Sequence, residues 1–141
     1  MPLKDFPSLC SKNAVQIVSK DKKNPQYHKG LNPRKAYVTQ YQIDGVVIKT
    51  GSRCDYLLMN EESQTAYLIE LKGSDLVKAA EQLEATERIL EKELAAYRKL
   101  YRIVAKKCKT QEIHSSSYRK YQLRWKWRLM QKTGCIEEKI E

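Results

Sequence analysis

Apolar and polar positions in the middle of the chain follow the pattern of a β-sheet. Residues 36–43 (AYVTQYQI) are rich in β-branched and aromatic side chains, which favour strands. Two further apolar runs, 54–59 (CDYLLM) and 66–73 (AYLIELKG), are separated by the polar turn 60–65. The near-continuous apolar character of the third run predicts a central strand that is covered on both faces.

The dipeptide Asp44-Gly45 is a two-residue hairpin signal between the first run and the residues VVIKT at 46–50. We therefore expect 46–50 to be a strand that pairs with 36–43. Residues 8–19 predict a short helix. Residues 20–35 are polar, basic and interrupted by proline and glycine, which predicts a loop.

Apolar residues recur at helical spacing from Ser74 to Leu100, with Ser74 as the N-cap and Asp75 in the first turn. Residues 101–107 (YRIVAKK) then predict a strand. A strand, helix, strand order indicates a crossover between two parallel strands. Further on, 121–129 alternates strictly between apolar and polar residues, which is a strand signal, although Ser116 or Ser117 could cap a helix that ends near residue 134. We expect the helix.

The composition fits a soluble α/β (α+β) protein with a modest core. The chain has 141 residues, of which 41% are hydrophobic and 31% charged. We expect one domain over 1–141, with a basic loop at 20–35 and a basic aromatic segment at 108–141. It has no bilayer-spanning run or signal peptide, and its four cysteines form no CxxC pair, which predicts free thiols and a cytoplasmic location.

The net charge of +10 is divided unevenly along the chain. Residues 1–60 carry +6 and residues 98–141 carry +9, whereas residues 61–97 carry −5. Two basic segments on either side of an acidic one suit a protein that binds a polyanion at its periphery. Solubility alone would account for the charge equally well.

Three charged residues stand at the ends of the apolar runs: Asp55, Glu70 and Lys72. If the runs around the turn 60–65 form an antiparallel hairpin, Asp55 and Glu70 lie side by side, and Lys72 shares the face of Glu70. Two carboxylates suit Mg²⁺ with several waters kept, and an ammonium group can stabilise charge on a phosphate. The simpler interpretation is a salt bridge at a strand end.

Asp55, followed after a 14-residue gap by the ELK of Glu70 to Lys72, resembles the signature of the PD-(D/E)XK nuclease superfamily. The longer string IDG…CDYLL…YLIELKGSD…EQL is similar to small bacterial and phage proteins of that superfamily. The resemblance covers about half of the chain, roughly residues 36–107. It implies a restriction-endonuclease-like core, in which a helix, a three-strand meander, a crossover helix and a further strand build a central mixed sheet flanked by helices.

The resemblance also implies residue roles. Asp55 and Glu70 would ligate Mg²⁺ (or Mn²⁺) together with the backbone carbonyl of Leu71, and Lys72 would act on the attacking water. Gln82 occupies the position of a helical glutamine near the site in some subfamilies, or is a solvent-facing residue. The first-helix glutamate of many members is missing, since no glutamate precedes Glu61.

Asp44 could replace that missing glutamate as a metal ligand, or could be only a turn residue. Cys54 stands at the position of the family's proline, which has no chemical role. The lone His28 could be catalytic, although a single histidine in a predicted loop is usually an incidental residue. Trp125 and Trp127 are expected to pack in the core, because a small domain needs large buried side chains.

Basic residues near the predicted site are candidate phosphate contacts. They are Lys29, Arg34, Lys35, Arg53, Lys106, Lys107, Arg119, Lys120, Arg124 and Lys126. We therefore expect a Mg²⁺-dependent nuclease that hydrolyses phosphodiester bonds of nucleic acid, DNA in preference to RNA, with a homodimer needed to cut both strands. Two alternatives stay open: an inactive nuclease-fold module that binds nucleic acid or a protein, and a basic domain unrelated to nucleic acid.

Overall fold

The chain forms a mixed α+β fold with two mixed β-sheets and few helices in the computed structural model, which describes residues 2–10, 13–72, 75–107 and 109–141. The strands are β1 (Gln16–Lys20), β2 (Tyr27–Leu31), β3 (Val38–Gln42), β4 (Tyr56–Asn60), β5 (Thr65–Lys72), β6 (Arg98–Ala105), β7 (Leu129–Thr133) and β8 (Cys135–Lys139). The helices are α1 (Leu76–Ile89), α2 (Glu91–Leu94), α3 (Thr110–Ile113) and α4 (Ser116–Trp125), with 3₁₀ turns at Pro2–Asp5 and Lys126–Arg128. No helix within these ranges is long and apolar enough to cross a membrane.

The larger sheet has five strands in the order β3-β4-β5-β6-β7. The β3–β4 and β4–β5 pairs are antiparallel, whereas β5–β6 and β6–β7 are parallel. The predicted meander and the predicted crossover are therefore confirmed. The prediction of a covered central strand is also confirmed, since every residue from Ala66 to Leu71 is buried.

The smaller sheet has the order β1-β2-β8 and pairs two strands from the N-terminal part of the chain with the last strand. β1 and β2 are antiparallel, and β8 joins β2 in parallel, with Tyr27 opposite Cys135. The predicted helix at 8–19 is wrong, since none of its described residues is helical and Gln16–Lys20 is β1, and the predicted loop at 20–35 is wrong over β2. Along β1 the residues alternate between exposed and buried, the two-residue period of a strand.

The two faces of the larger sheet carry separate hydrophobic clusters. On one face α1 and α4 cover the sheet, with Leu83 and Trp125 among the buried residues. On the other face the smaller sheet covers it, with Ile17 and Ile136 buried. The larger sheet is therefore the middle of three layers.

Two predicted elements of the central region differ from the structure. Residues 46–50 form no strand, because the chain turns back on itself: the Ile48 N–H donates to the Ile43 carbonyl at 2.9 Å, and β4 takes the place beside β3. The turn itself is present, with Gly45 at a φ of 79° that a side chain would oppose. The predicted helix to Leu100 ends at Ile89, apart from the short α2, because residues from Arg98 onward pair with β5.

The C-terminal segment contains both elements that its pattern allows, a helix followed by a strand. α4 is a helix, as expected, with Ser115 rather than Ser116 or Ser117 as its cap, and it ends at Trp125. Residues from Leu129 then form β7 instead of continuing to residue 134. For α1 the cap is Asp75, whose Oδ1 accepts from the Lys78 N–H at 3.0 Å, and Ser74 lies outside the described residues.

Candidate active site

Asp55 and Glu70 meet at one end of the β4–β5 pair. The β4–β5 ladder ends where Tyr56 lies opposite Ile69, and Asp55 and Glu70 are the next residues outward on the two segments. The Asp55 N–H donates to the Ile69 carbonyl at 3.1 Å, and the Leu71 N–H donates to Asp55 Oδ2 at 2.8 Å. The backbone of β5 therefore fixes the Asp55 carboxylate beside Glu70, as the sequence predicts.

Glu70 lies on the face of the sheet that α1 covers, because Leu68, two residues earlier on β5, belongs to the cluster beneath α1. Glu70 is 0% exposed, an unusual setting for a carboxylate. Taking a carboxylate out of water costs free energy that a cation or hydrogen-bond donors must offset.

Leu71 and Lys72 end β5 at this same edge. Leu71 is buried in the cluster on the opposite face, and the pairing of Lys72 with Ala105 brings the end of β6 alongside. The Lys72 backbone is in the strand, but its side chain lies outside the described part of the chain. Its role therefore stays a prediction.

Gln82 on α1 contacts the segment that leads into Asp55. Its Nε2 donates to the Arg53 carbonyl at 3.2 Å, and one turn later Thr86 Oγ1 accepts from the Cys54 N–H at 2.7 Å. Gln82 Oε1 is buried and has no hydrogen-bond partner among the described residues. Gln82 is therefore half-buried beside the candidate site, and the solvent-facing interpretation is wrong.

Cys54 is a buried residue of the core next to the carboxylates. Burial raises the pKa of its thiol, and the charges of Glu70 and Asp55 raise that pKa further. Burial and the raised pKa are expected to make this thiol react slowly with thiol reagents.

We expect this protection to be measurable. In a variant with Cys10, Cys108 and Cys135 replaced by serine, Cys54 should resist a neutral disulfide reagent at pH 8, because its raised pKa and burial leave almost no accessible thiolate. Labelling followed in native buffer and in denaturant measures the difference. Equal labelling rates in the two conditions would contradict it.

A cleft of about 370 Å³ opens beside Asp55. Its walls are the β1–β2 loop and the ends of β3 and β4, and its charged lining residues are Lys20, Asp21, Lys22, Lys23, Asp44 and Asp55, with Tyr56 beside them. The Tyr56 hydroxyl donates to the Lys20 carbonyl at 2.9 Å and so ties the loop to β4. These three lysines are not among the predicted phosphate contacts, and the sequence signal that could have identified them is the lysine cluster at 20–23.

Asp44 lines the same cleft but does not join the two carboxylates. Its Oδ1 accepts from Arg53 Nε at 2.7 Å, and it is a partly exposed turn residue. No group of three histidine, cysteine, aspartate or glutamate side chains among the described residues is arranged to hold a metal ion. The candidate site therefore has two acidic side chains, and Arg53 is engaged with Asp44.

The other basic candidates are spread over the surface. Lys106 and Lys107 are exposed immediately after β6, at the edge where Lys72 ends β5. Arg34 lies near Asn60 and Ser63, at the opposite end of the β4–β5 hairpin. The remaining candidates are exposed Lys35 beside Arg34, Lys29 on β2, exposed Arg119 and Lys120 on α4, Arg124 in an ion pair with Glu84, and exposed Lys126 after α4.

His28 is not a loop residue. It lies fully buried on β2, with Nε2 2.8 Å from Glu138 Oε2. Arg102 of β6 also binds Glu138, through Nε at 2.7 Å and Nη2 at 3.0 Å. Burial would raise the pKa of Glu138, but the hydrogen bonds from His28 and Arg102 outweigh it and lower that pKa. This His28–Glu138–Arg102 cluster joins the two sheets.

The chain matches no protein-family model, no curated protein and no solved structure. The likeness to the PD-(D/E)XK superfamily therefore rests on the motif residues themselves.

Proposed function

We propose that this protein is a Mg²⁺-dependent nuclease with a restriction-endonuclease-like core. The observation that carries the proposal is the meeting of Asp55 and Glu70 at the end of β4 and β5, with the Asp55 carboxylate fixed by the Leu71 N–H at 2.8 Å. The strand order supports it, because a meander followed by a parallel crossover is what the resemblance implies. The family's first helix has no counterpart among the described residues before β3, where β1 and β2 lie instead.

The residues at this edge fit a magnesium ion. Asp55, Glu70 and the Leu71 carbonyl are hard oxygen donors, and Mg²⁺ in proteins is commonly bound by one or two carboxylates while it keeps several waters. Such an ion would neutralise phosphate charge and make a water more acidic. Lys72, by the resemblance, would act on the attacking water, and Gln82 Oε1 offers an acceptor for a water proton close by.

The cleft would give a nucleic acid a route to Asp55, whereas the buried Glu70 does not line it. Lys20, Lys22 and Lys23 line its wall together with Asp21 and Asp44, so a phosphate backbone lying in the cleft would meet three ammonium groups next to Asp55. Lys106 and Lys107, at the ends of the parallel strands, would extend this contact along the same edge. We expect DNA as the polyanion, as the resemblance implies.

The lysines of the cleft predict a specific salt dependence. Replacing Lys22 and Lys23 together by alanine should weaken binding about equally for all sequences and lower the slope of log K against log [salt] by about 2, since each lost phosphate contact removes about one unit. Lys92 on α2, replaced by alanine, is the matched control. An unchanged slope in the double variant would contradict binding in this cleft.

An inactive binding module is the second candidate. The ion pair between Asp44 and Arg53 and the lack of a third acidic ligand in the described chain favour it. Incubation with single-stranded, duplex and branched DNA and RNA, in Mg²⁺ or Mn²⁺, separates the two. Metal-dependent cleavage supports the nuclease, and salt-dependent binding without cleavage supports the module.

A further inference from the structure

The outward side of α4 and the turn after it forms a surface that the active site does not use. We call it the α4 outer face, and it consists of Arg119, Lys120, Leu123, Lys126 and Trp127, all exposed. The other side of α4 packs on α1 and the sheet through Tyr118, Tyr121 and Trp125, all buried. The outer face is therefore held rigidly on the core.

The two tryptophans of this segment have opposite environments. Trp125 is 2% exposed and stacks on Tyr101, with ring centroids 3.9 Å apart and planes 7° apart. Trp127 is 70% exposed, so the expectation that it packs in the core is wrong. The cause is local: Lys126 ends the helix at a φ of 53°, a conformation that side chains rarely adopt, and Trp127 leaves the inward side.

The charge of this segment is of one sign. Residues 113–136 contain six basic residues and no acidic one. Arg124 is neutralised by Glu84, and the Arg128 guanidinium lies 5.8 Å from the Tyr101 ring. Arg119, Lys120 and Lys126 form no ion pair within the described ranges, although Lys120 Nζ lies 5.0 Å from the centroid of the Tyr121 ring. All three side chains are exposed, so a polyanion can reach them.

The α4 outer face also lies on a path from the active site. α3 and α4 follow the end of β6, which pairs with the end of β5. Glu112 of α3 accepts from the Leu76 N–H at 2.9 Å, which fixes this region against the first turn of α1. A strand of nucleic acid that leaves the carboxylates could therefore follow α4 towards Trp127.

We infer that the α4 outer face binds unpaired nucleotides, with a base stacked on Trp127 and phosphates held by Arg119, Lys120 and Lys126. An exposed aromatic ring among basic side chains is the arrangement by which proteins hold single strands, because bases within a duplex have no free face for stacking. This inference rests on the proposed function, since it names single-stranded or unpaired nucleic acid as the substrate class. An anionic membrane is a poorer partner, because the apolar side of α4 is already buried and only Leu123 and Trp127 face outward.

The fluorescence of Trp127 should show directly whether a base is bound at the α4 outer face. In EDTA, which prevents metal-dependent cleavage, a single-stranded oligothymidine should quench the fluorescence of the wild-type protein, because the exposed indole stacks on a base. Trp127→Phe retains only the buried Trp125 and should show almost no quenching. A duplex of equal length should quench much less than the single strand.

Affinity provides the second readout. Trp127→Ala should weaken binding of the single strand about tenfold and leave binding of the duplex nearly unchanged. Trp127→Phe, which keeps a ring, should lose less, and Leu9→Ala, which removes another exposed apolar side chain, should lose nothing. Trp127 is exposed, so these variants should fold, which circular dichroism would check.

Several outcomes would overturn the inference. They are equal affinity of Trp127→Ala and the wild type for the single strand, equal quenching by duplex and single strand, and a fluorescence change with phosphatidylglycerol vesicles but not with DNA. The two proposals fail separately. Cleavage without quenching would support the nuclease and contradict binding at the α4 outer face. Quenching without cleavage in any metal would support binding at that face and contradict the nuclease.

Discussion

Replacing Glu70 by glutamine, or Asp55 by asparagine, is expected to lower the rate of nucleic-acid cleavage by about three orders of magnitude. Each substitution keeps the size of the side chain but removes one of the two charges that would hold the metal ion. Stabilisation of the transition state by a bound cation is worth several kcal/mol, and each 1.36 kcal/mol is about tenfold in rate. Initial rates on the best substrate of the panel measure the loss.

Thermal unfolding tests metal binding at the same site without an activity assay. Because an ion that binds only the folded state stabilises it, Mg²⁺ should raise the Tm of the wild type but not that of Glu70→Gln. Glu81→Gln, at an exposed carboxylate of α1, is the control and should behave as the wild type in both assays. Undiminished cleavage by Glu70→Gln would show that Glu70 is not part of the active site. If Mg²⁺ and Mn²⁺ do not change the Tm of the wild type and it cleaves no substrate, the binding module is favoured instead.

The second large effect concerns stability. Replacing Arg102 by methionine is expected to cost about 3–5 kcal/mol of unfolding free energy at neutral pH, because it leaves Glu138 charged and largely buried. The Arg102 side chain is 7% exposed and that of Glu138 15%, and the Arg102 guanidinium also donates to the Arg128 carbonyl at 2.8 Å. Urea unfolding at pH 7 measures the loss.

Two further measurements separate the charge from the packing. The pKa of Glu138 is lowered in the folded protein, so the stability that it contributes is complete above its unfolded value of about 4.5 and is lost as the pH falls through the folded value. The difference in unfolding free energy between the wild type and Arg102→Met should therefore become smaller at acid pH. Adding Glu138→Gln, which keeps an acceptor for His28, should recover much of the loss at pH 7. A double variant no more stable than Arg102→Met would attribute the loss to packing.

The central part of the larger sheet could be predicted from the sequence because its signals are local. Residues 66–71 form an apolar run long enough to identify a buried strand, and helical spacing from Leu76 identifies α1. Since the turn 60–65 fixes the antiparallel pairing, the meeting of Asp55 and Glu70 also followed. The positions of Asp55 and Glu70 at the ends of two predicted strands were therefore sufficient to predict that they lie close together.

The smaller sheet could not be predicted in this way. β2 contains Gly30 and lies between prolines, so its local pattern is that of a loop, and its second partner is more than 100 residues away in β8. Gly30 is needed there because a Cβ would meet Leu58 Cδ2 at 2.9 Å. The lysines of the cleft were missed for the same reason, because only the pairing of β1 with β2 sets Lys20 beside Tyr56.

Val46 to Thr50 and Trp127 illustrate a different difficulty. The first segment has strand propensity but no partner, since β4 occupies the edge of β3, so tertiary pairing overrides propensity. Trp127 has the composition of a core residue, yet the backbone at Lys126 turns it outward. Neither outcome is encoded within a short window of sequence.

The parallel pairing of β8 with β2 has a consequence for synthesis of the chain. During translation the strands of the larger sheet can begin to pair early, but β2 lacks its second neighbour, and His28 its carboxylate, until Cys135–Lys139 have left the ribosome. Contacts so distant in sequence form slowly, because a long loop must be closed first. The smaller sheet is therefore completed only after β8 has been synthesised, so we expect the His28–Glu138–Arg102 cluster to form later in folding than the pairing of β3, β4 and β5.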